Sequence, residues 1–262
     1  MVRNGPVRGI TRLRRAQPEY PTGRTATETF DYPNPVGPYV TTIGELDRIV
    51  RARHLLKHPF YVAWSQGTVP MPTLRRYAEQ YYHFEVNFPR YVAGAYARLP
   101  SPSDRQLLLE NLTDEEGRSP THPELWAKFA RALGTSVDVR RHPPIAATNA
   151  LLAVYERALD RGAVAEQLGT LYAYESQFPD VAQEKSRGLR VHYGLTSPIA
   201  HEFFRVHVAA DVEHSRAERR LLARTIRRDA RAGRAAERGV RGAVGAWWAF
   251  LDAFSTGERP AA

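Results

Sequence analysis

The sequence predicts an all-α fold, a bundle of about seven helices, and three observations carry that reading. Apolar residues recur at helical spacing with few gaps from Ile43 to Phe254. Over the same stretch no period-2 strand or hairpin signal is present. Gly134, Gly162 and Gly194 sit where successive helical patterns should stop.

In chain order, Ile43–Gly67 reads as one helix interrupted near Pro59, and Met71–Leu99 as one long aromatic-rich helix. Ser103 or Asp104 can cap the next helix, which runs to about Glu116. Gly117-Arg-Ser-Pro120 breaks it, and a further helix runs from His122 to Leu133. Helices follow at about Ile145–Arg161, Ala163–Tyr193, Pro198–Arg228 and Arg234–Phe254. Residues 43–256 thus form one helical domain. Residues 1–42, rich in Pro, Gly, Arg and Thr and without helical period, form an irregular extension. No internal repeat is visible.

A chain of 262 residues, 43% apolar, can bury a substantial core. The absence of cysteine excludes disulfides, thiolate metal sites and cysteine nucleophiles, a thiaminase-like hydrolase included. No apolar run is long enough to span a membrane, and no signal-peptide core is present, so a cytoplasmic protein is expected. The formal charge is +9, with ten arginines against three acids between Arg216 and Arg241. Those arginines spread around a helix without interleaved aromatics, so they read as a solvated face and nucleic-acid binding is not expected. Only three lysines, Lys57, Lys128 and Lys185, stand against 34 arginines.

The strongest functional signal is His207-Val-Ala-Ala-Asp211-Val-Glu-His214. Spacings of four and then three place the two imidazoles and the carboxylate on one helix face. Glu115 closes an apolar helix, His122 follows seven residues later, and Glu175 lies in a largely apolar helix. Charges on apolar faces are costly unless paired or metal-bound. Two glutamates, one aspartate and three histidines suit two first-row metals with positions left open for oxygen. The paired Glu-x-x-His pattern of ferritin-like di-iron proteins is missing, which disfavours that fold.

Several blocks then carry a resemblance. They are His58-Pro-Phe-Tyr61-Val-Ala-Trp-Ser-Gln-Gly, Tyr77-Ala-Glu-Gln-Tyr-Tyr, Phe88-Pro-Arg-Tyr, the stretch Leu-Leu-Glu-Asn-Leu-Thr-Asp-Glu-Glu-Gly at 108–117, His122-Pro-Glu-Leu-Trp, Tyr174-Glu-Ser-Gln and Ala210-Asp-Val-Glu-His214. In this order they resemble the haem-oxygenase-like di-metal oxidases, in particular the branch of the chlamydial protein associating with death domains. The PQQ-synthesis oxidase and thiaminase-II-like proteins share that fold without this ligand set.

The resemblance implies a haem-oxygenase-like bundle holding two irons, or iron plus manganese, on Glu115, His122, Glu175, His207, Asp211 and His214. It implies O2 and an external reductant as co-substrates, and a homodimer. It further implies that the chain forms p-aminobenzoate for folate synthesis by self-sacrifice, Tyr61 supplying the ring and Lys185 the nitrogen. Tyr77 and Tyr174 match tyrosines that relay oxidising equivalents. Only an amine, not a guanidinium, can lose its proton and donate nitrogen, which makes Lys185 distinctive in an arginine-rich chain. Two other readings stay open: a di-iron oxygenase acting on an external amino-acid, amine or fatty-acid substrate, and a non-catalytic interaction protein.

Overall fold

The computed structural model describes residues 41–255, which form eleven α-helices and one 3-10 turn. The helices are α1 (Ile43–Ala52), α2 (Pro59–Gln66), α3 (Met71–Glu85), α4 (Phe88–Arg98), α5 (Pro102–Glu116) and α6 (His122–Ala132). There follow α7 (Ala146–Arg161), α8 (Val164–Glu175), α9 (Phe178–His192), α10 (Pro198–Arg228) and α11 (Ala230–Asp252). The 3-10 turn, Leu55–Lys57, lies between α1 and α2. No strand occurs among the described residues, as expected of an all-α chain. The expected extension at 1–42 lies outside the described residues except for Thr41 and Thr42.

The helix count exceeds the expected seven or so because proline cuts three of the eight segments outlined above, giving eleven. The segment 43–67 divides before Pro59, the segment 71–99 at Val86-Asn87 before Pro89, and the segment 163–193 at Ser176-Gln177 before Pro179. Proline lacks the N–H that a continuing helix needs and is accepted in a first turn, where that N–H has no partner anyway. The interruption near Pro59 is as expected; at the other two breaks apolar periodicity runs on, which is why the sequence reads as unbroken there. Two helices also start earlier than expected: α5 at Pro102, with Ser101 before it and no side-chain cap, and α11 at Ala230 rather than Arg234.

Helix α8 is the axis of the bundle. Every residue from Gln167 to Glu175 is buried, so this helix is covered on all sides. It crosses α11 at close range because both helices carry a glycine there. A Cβ at Gly169 would meet the Ala236 carbonyl oxygen at 2.4 Å, and one at Gly239 would meet that of Glu166 at 2.1 Å. Helices α3, α6, α10 and α11 add an aromatic core that includes Tyr77, Tyr81, Phe84, Trp126, Phe203 and Trp247.

The charged face of α10 and α11 is neutralised locally. Arg219 pairs with Asp47 at 2.9 Å, Arg224 with Asp104 at 3.0 Å and Arg238 with Glu166 at 3.0 Å. No helix among the described residues is long and apolar enough to cross a membrane.

Candidate metal centre

The six donors named from sequence are carried by four helices and buried together: Glu115 on α5, His122 on α6, Glu175 on α8, and His207, Asp211 and His214 on α10. The α10 residues share a face, as their spacing requires. Glu175 ends α8, so its carboxylate emerges where that central helix stops. His122 opens α6, and its place is fixed by a capping box. The Thr121 hydroxyl accepts from the Glu124 N–H, and the Glu124 carboxylate accepts from the Thr121 N–H at 2.8 Å. The turn at Gly117–Pro120 that interrupts the pattern between Glu115 and His122 brings them together. Glu115 Oε2 lies 2.9 Å from His122 Nδ1.

Two triads emerge. Ligand atoms of Glu85, His122 and His207 lie within 4.8 Å of one another, and so do those of Glu115, Glu175 and His214. His122 and His207 have ring centroids 4.1 Å apart. Asp211 Oδ1 lies 3.5 Å from His214 Nδ1.

The orientation of these atoms tests whether metals fit. Glu115 Oε2, His122 Nδ1, Asp211 Oδ2 and His214 Nδ1 are buried without a hydrogen-bond partner, although most have a complementary atom nearby. They are turned off the line that a hydrogen bond requires. Buried polar atoms left this way are costly, and a shared cation relieves several at once. The outer atoms of the histidines are tied back: His207 Nδ1 to the Phe203 carbonyl oxygen at 2.8 Å, and His214 Nε2 to Asp114 at 3.1 Å. Such ties fix ring orientation in metal sites. Asn111 donates to both Glu175 oxygens, at 2.9 and 3.1 Å.

Burial and the mutual charge of these groups set the proton inventory of the site. Burial opposes charge on His214, but the Asp211 and Glu175 carboxylates outweigh it and raise its pKa to about 11. Burial likewise opposes charge on His122, yet Glu115 beside it raises its pKa to about 9. Burial pushes Asp211 up to about 7. It also works against ionisation of Glu175, but the donors around it, His214 first, hold that group below the usual carboxylate range.

Tyr61 and Lys185 also come together. The Lys185 amine is fully buried and has no hydrogen-bond partner. It lies 4.6 Å from the ring centroid of Tyr81, 5.0 Å from Phe178, 5.2 Å from Tyr77, 5.3 Å from Trp126 and 5.4 Å from Tyr61. Burial drives its pKa well below the ordinary lysine value. The expectation that Lys185 shares one helix axis with Glu175 is corrected, because the chain turns at Ser176-Gln177 and Lys185 belongs to α9. A hydrogen bond from Trp64 Nε1 to the Lys185 carbonyl oxygen, 3.2 Å long, locks α2 to α9 and sets Tyr61 beside the amine. The Tyr61 and Tyr77 hydroxyls are 2.9 Å apart, and the Tyr81 hydroxyl is hydrogen-bonded to that of Tyr174.

Sequence reasoning missed Glu85, Asn111, Tyr81 and Glu218. Glu85 stands in Tyr81-Tyr-His-Phe-Glu85, a lone acid in an aromatic run, and the signal that exposed Glu175 applies to it equally. Glu218 extends the α10 ladder by four residues beyond His214. It is fully buried, with neither oxygen hydrogen-bonded, and burial followed by the nearby Glu175 carboxylate raises its pKa well above normal.

A groove of about 610 Å³ reaches His122 and His214 from the surface, lined also by Asp114, Arg118, Glu202 and Glu213. A larger groove of about 750 Å³ runs along α9 and α10 and includes none of the donors; of the rings that cage the Lys185 amine it reaches Phe204, whose centroid lies 5.8 Å from that amine.

A family described as iron-containing redox enzymes matches residues 75–248. The chain belongs to that family. This iron-containing redox enzyme is 38% identical over 213 residues to the 4-aminobenzoate synthase of Chlamydia muridarum, covering 81% of this chain and 89% of that protein. It is 37% identical over 221 residues to a protein of the same name from Nitrosomonas europaea, covering 79% and 88% of the two chains. It is 26% identical over 173 residues to the 4-chloro-allylglycine synthase of Streptantibioticus cattleyicolor, covering 66% of each.

Among solved structures it is similar to a CADD-like protein from Nostoc punctiforme, at a TM-score of 0.66 and 20% identity, covering 81% of this chain and 96% of that one. A TenA homologue from P. horikoshii also gives a TM-score of 0.66, at 18% identity, covering 82% and 99%. These structures share the fold. The expected haem-oxygenase-like bundle is therefore the observed one.

Proposed function

We propose that this iron-containing redox enzyme forms 4-aminobenzoate with an O2-activating dinuclear centre, drawing the ring from its own Tyr61 and the nitrogen from its own Lys185. The observation that carries the reading is the Lys185 amine, buried without a hydrogen bond among aromatic rings that include Tyr61. A buried, unpartnered lysine is destabilising, and a chain with so many arginines and so few lysines has other ways to fill that volume. The identity to 4-aminobenzoate synthases supports the same reading.

Glu115, His122, Glu175, His207, Asp211 and His214 would hold two irons, or iron with manganese. When bound, the metals supply the electrons that reduce O2 and the oxidising power that a phenol ring requires, and an external reductant restores them. The chain's own groups do the rest. Burial holds the Lys185 amine well below its ordinary pKa, which favours the neutral form with its lone pair unprotonated beside the Tyr61 ring. Burial raises the Tyr61 and Tyr77 hydroxyls, so both keep their protons until oxidised. Tyr77 accepts or donates across the 2.9 Å contact and offers Tyr61 a route for its proton. Tyr81 and Tyr174 form a second hydroxyl pair, and the Tyr77 and Tyr81 rings that separate the pairs lie 5.6 Å apart. Phe60, Trp64, Trp126 and Phe178 exclude water from amine and ring.

The test is mass spectrometry of metal-loaded protein incubated with air and reductant but no added substrate. The expected result is released 4-aminobenzoate with matching loss of intact peptides spanning Tyr61 and Lys185. Two bound metals with no product and both residues intact would overturn self-sacrifice in favour of an external substrate.

A further inference from the structure

Glu85 ends α3 with its carboxylate buried. One of its oxygens lies within 4.8 Å of a ring nitrogen of His122 and of one of His207. Among the described residues no hydrogen bond and no ion pair reaches this carboxylate. A buried carboxylate without a donor is among the costlier arrangements a core can contain, and a bound cation is its direct remedy. Glu175 shows the contrast. It is buried as completely, but Asn111 donates to both its oxygens.

We propose that Glu85 is an additional metal ligand of this chain, forming with His122 and His207 the metal position on the lysine side of the centre. This inference rests on the dinuclear reading above and extends its donor set.

The donor chemistry supports it. Two imidazoles and one carboxylate make the set that suits ferrous iron while leaving positions open for oxygen. The other triad, Glu115, Glu175 and His214, is richer in carboxylate, and the two metal positions are therefore unequal. Placement on the lysine side follows from shared neighbours. The Phe178 ring lies 5.2 Å from the His207 ring and 5.0 Å from the Lys185 amine. Trp126, another wall of the amine's cage, packs 4.8 Å from Phe203, which lies 4.0 Å from His207. Glu85 is also the acidic group that acts electrostatically on the Lys185 amine. One carboxylate thus belongs to the metal position and neighbours the nitrogen donor.

The experiment is an anaerobic titration of the full apo-chain with Mn(II), reading free Mn(II) by electron paramagnetic resonance and bound metal after equilibrium dialysis. Wild type should bind two Mn(II). Glu85→Gln should bind one with unchanged affinity and the second at least about tenfold more weakly, since loss of even an outer partner of a ligand costs that much. Two Mn(II) at wild-type affinities in Glu85→Gln would overturn the assignment and leave the dinuclear centre standing. Fewer than two in wild type would overturn the dinuclear centre and the assignment with it. Far-UV circular dichroism of the apo-variants checks the fold. If Glu85→Gln does not fold, Glu85→Asp keeps the charge but withdraws the oxygens by one methylene, and the same division of outcomes applies.

Discussion

On one side of the metal centre Glu175 takes two hydrogen bonds from Asn111, Asp114 braces His214, and a groove opens to the surface. On the other side Glu85, His122 and His207 face Phe178, Phe203 and the aromatic cage of Lys185. The first half is polar and braced, which suits it to a cation, and it opens to solvent. The second is the drier half: of its three donors only His122 lines the groove, and aromatic rings stand between the groove and the amine. Oxidising chemistry is safest where no solvent intercepts it, and the dry half is where the oxidisable rings are gathered.

The sharpest way to break this contrast is to remove the reacting groups of the dry half. Tyr61→Phe and Lys185→Arg are each expected to reduce 4-aminobenzoate release to background while metal content stays at the wild-type level, measured by product mass spectrometry and metal analysis. Retention of activity in both variants would refute the proposed roles. Next in size is the braced half. Asn111→Leu removes the side chain that donates to both Glu175 oxygens and should weaken one metal about 10- to 100-fold in a Mn(II) titration.

Proton counting separates the halves further. With pKa values near 9 and 11, His122 and His214 carry protons at pH 7 that a metal must displace. Loading both sites at pH 7 should therefore release at least about two protons, with Asp211 and Glu85, whose pKa values burial also raises, adding to that number, and affinity should rise with pH, seen as buffer-dependent heats in calorimetry. Release of no protons would mean that these imidazoles are not ligands.

The smallest effect concerns stability. Lys185→Met should stabilise the apo-protein by about 1–3 kcal/mol at pH 7, because it removes a buried amine with no partner. The sign with pH follows from linkage. Below the ordinary lysine value of 10.5 the unfolded chain binds a proton that the folded amine, with its lowered pKa, releases more readily. Wild-type stability therefore rises with pH towards that value, and the advantage of Met shrinks along the same course in urea titrations.

The fold and half of this centre were legible because they are local. The ladder His207, Asp211, His214 is a helix spacing, and the all-α pattern is a periodicity. What was not legible is tertiary. Glu85 reaches His207 only because α3 and α10 converge, and nothing in a window around either residue records that. The cage around Lys185 draws its rings from α2, α3, α6, α9 and α10, so no stretch of chain contains it. Helix number failed for a different reason. Apolar period continues across Pro89 and Pro179, while the backbone hydrogen bonds do not.

Tyr61 is almost wholly buried, its ring against Phe60 at 5.3 Å and Trp64 at 6.3 Å. A chain that surrenders this ring keeps a hole in the wall between α2 and α3. Emptying an aromatic site of that kind costs about 3–5 kcal/mol, a large part of what holds a domain together. Spent molecules would melt earlier than fresh ones and meet cellular proteases sooner. Each chain would thus carry a record of having reacted, and the supply of product would be governed by how fast new protein is synthesised.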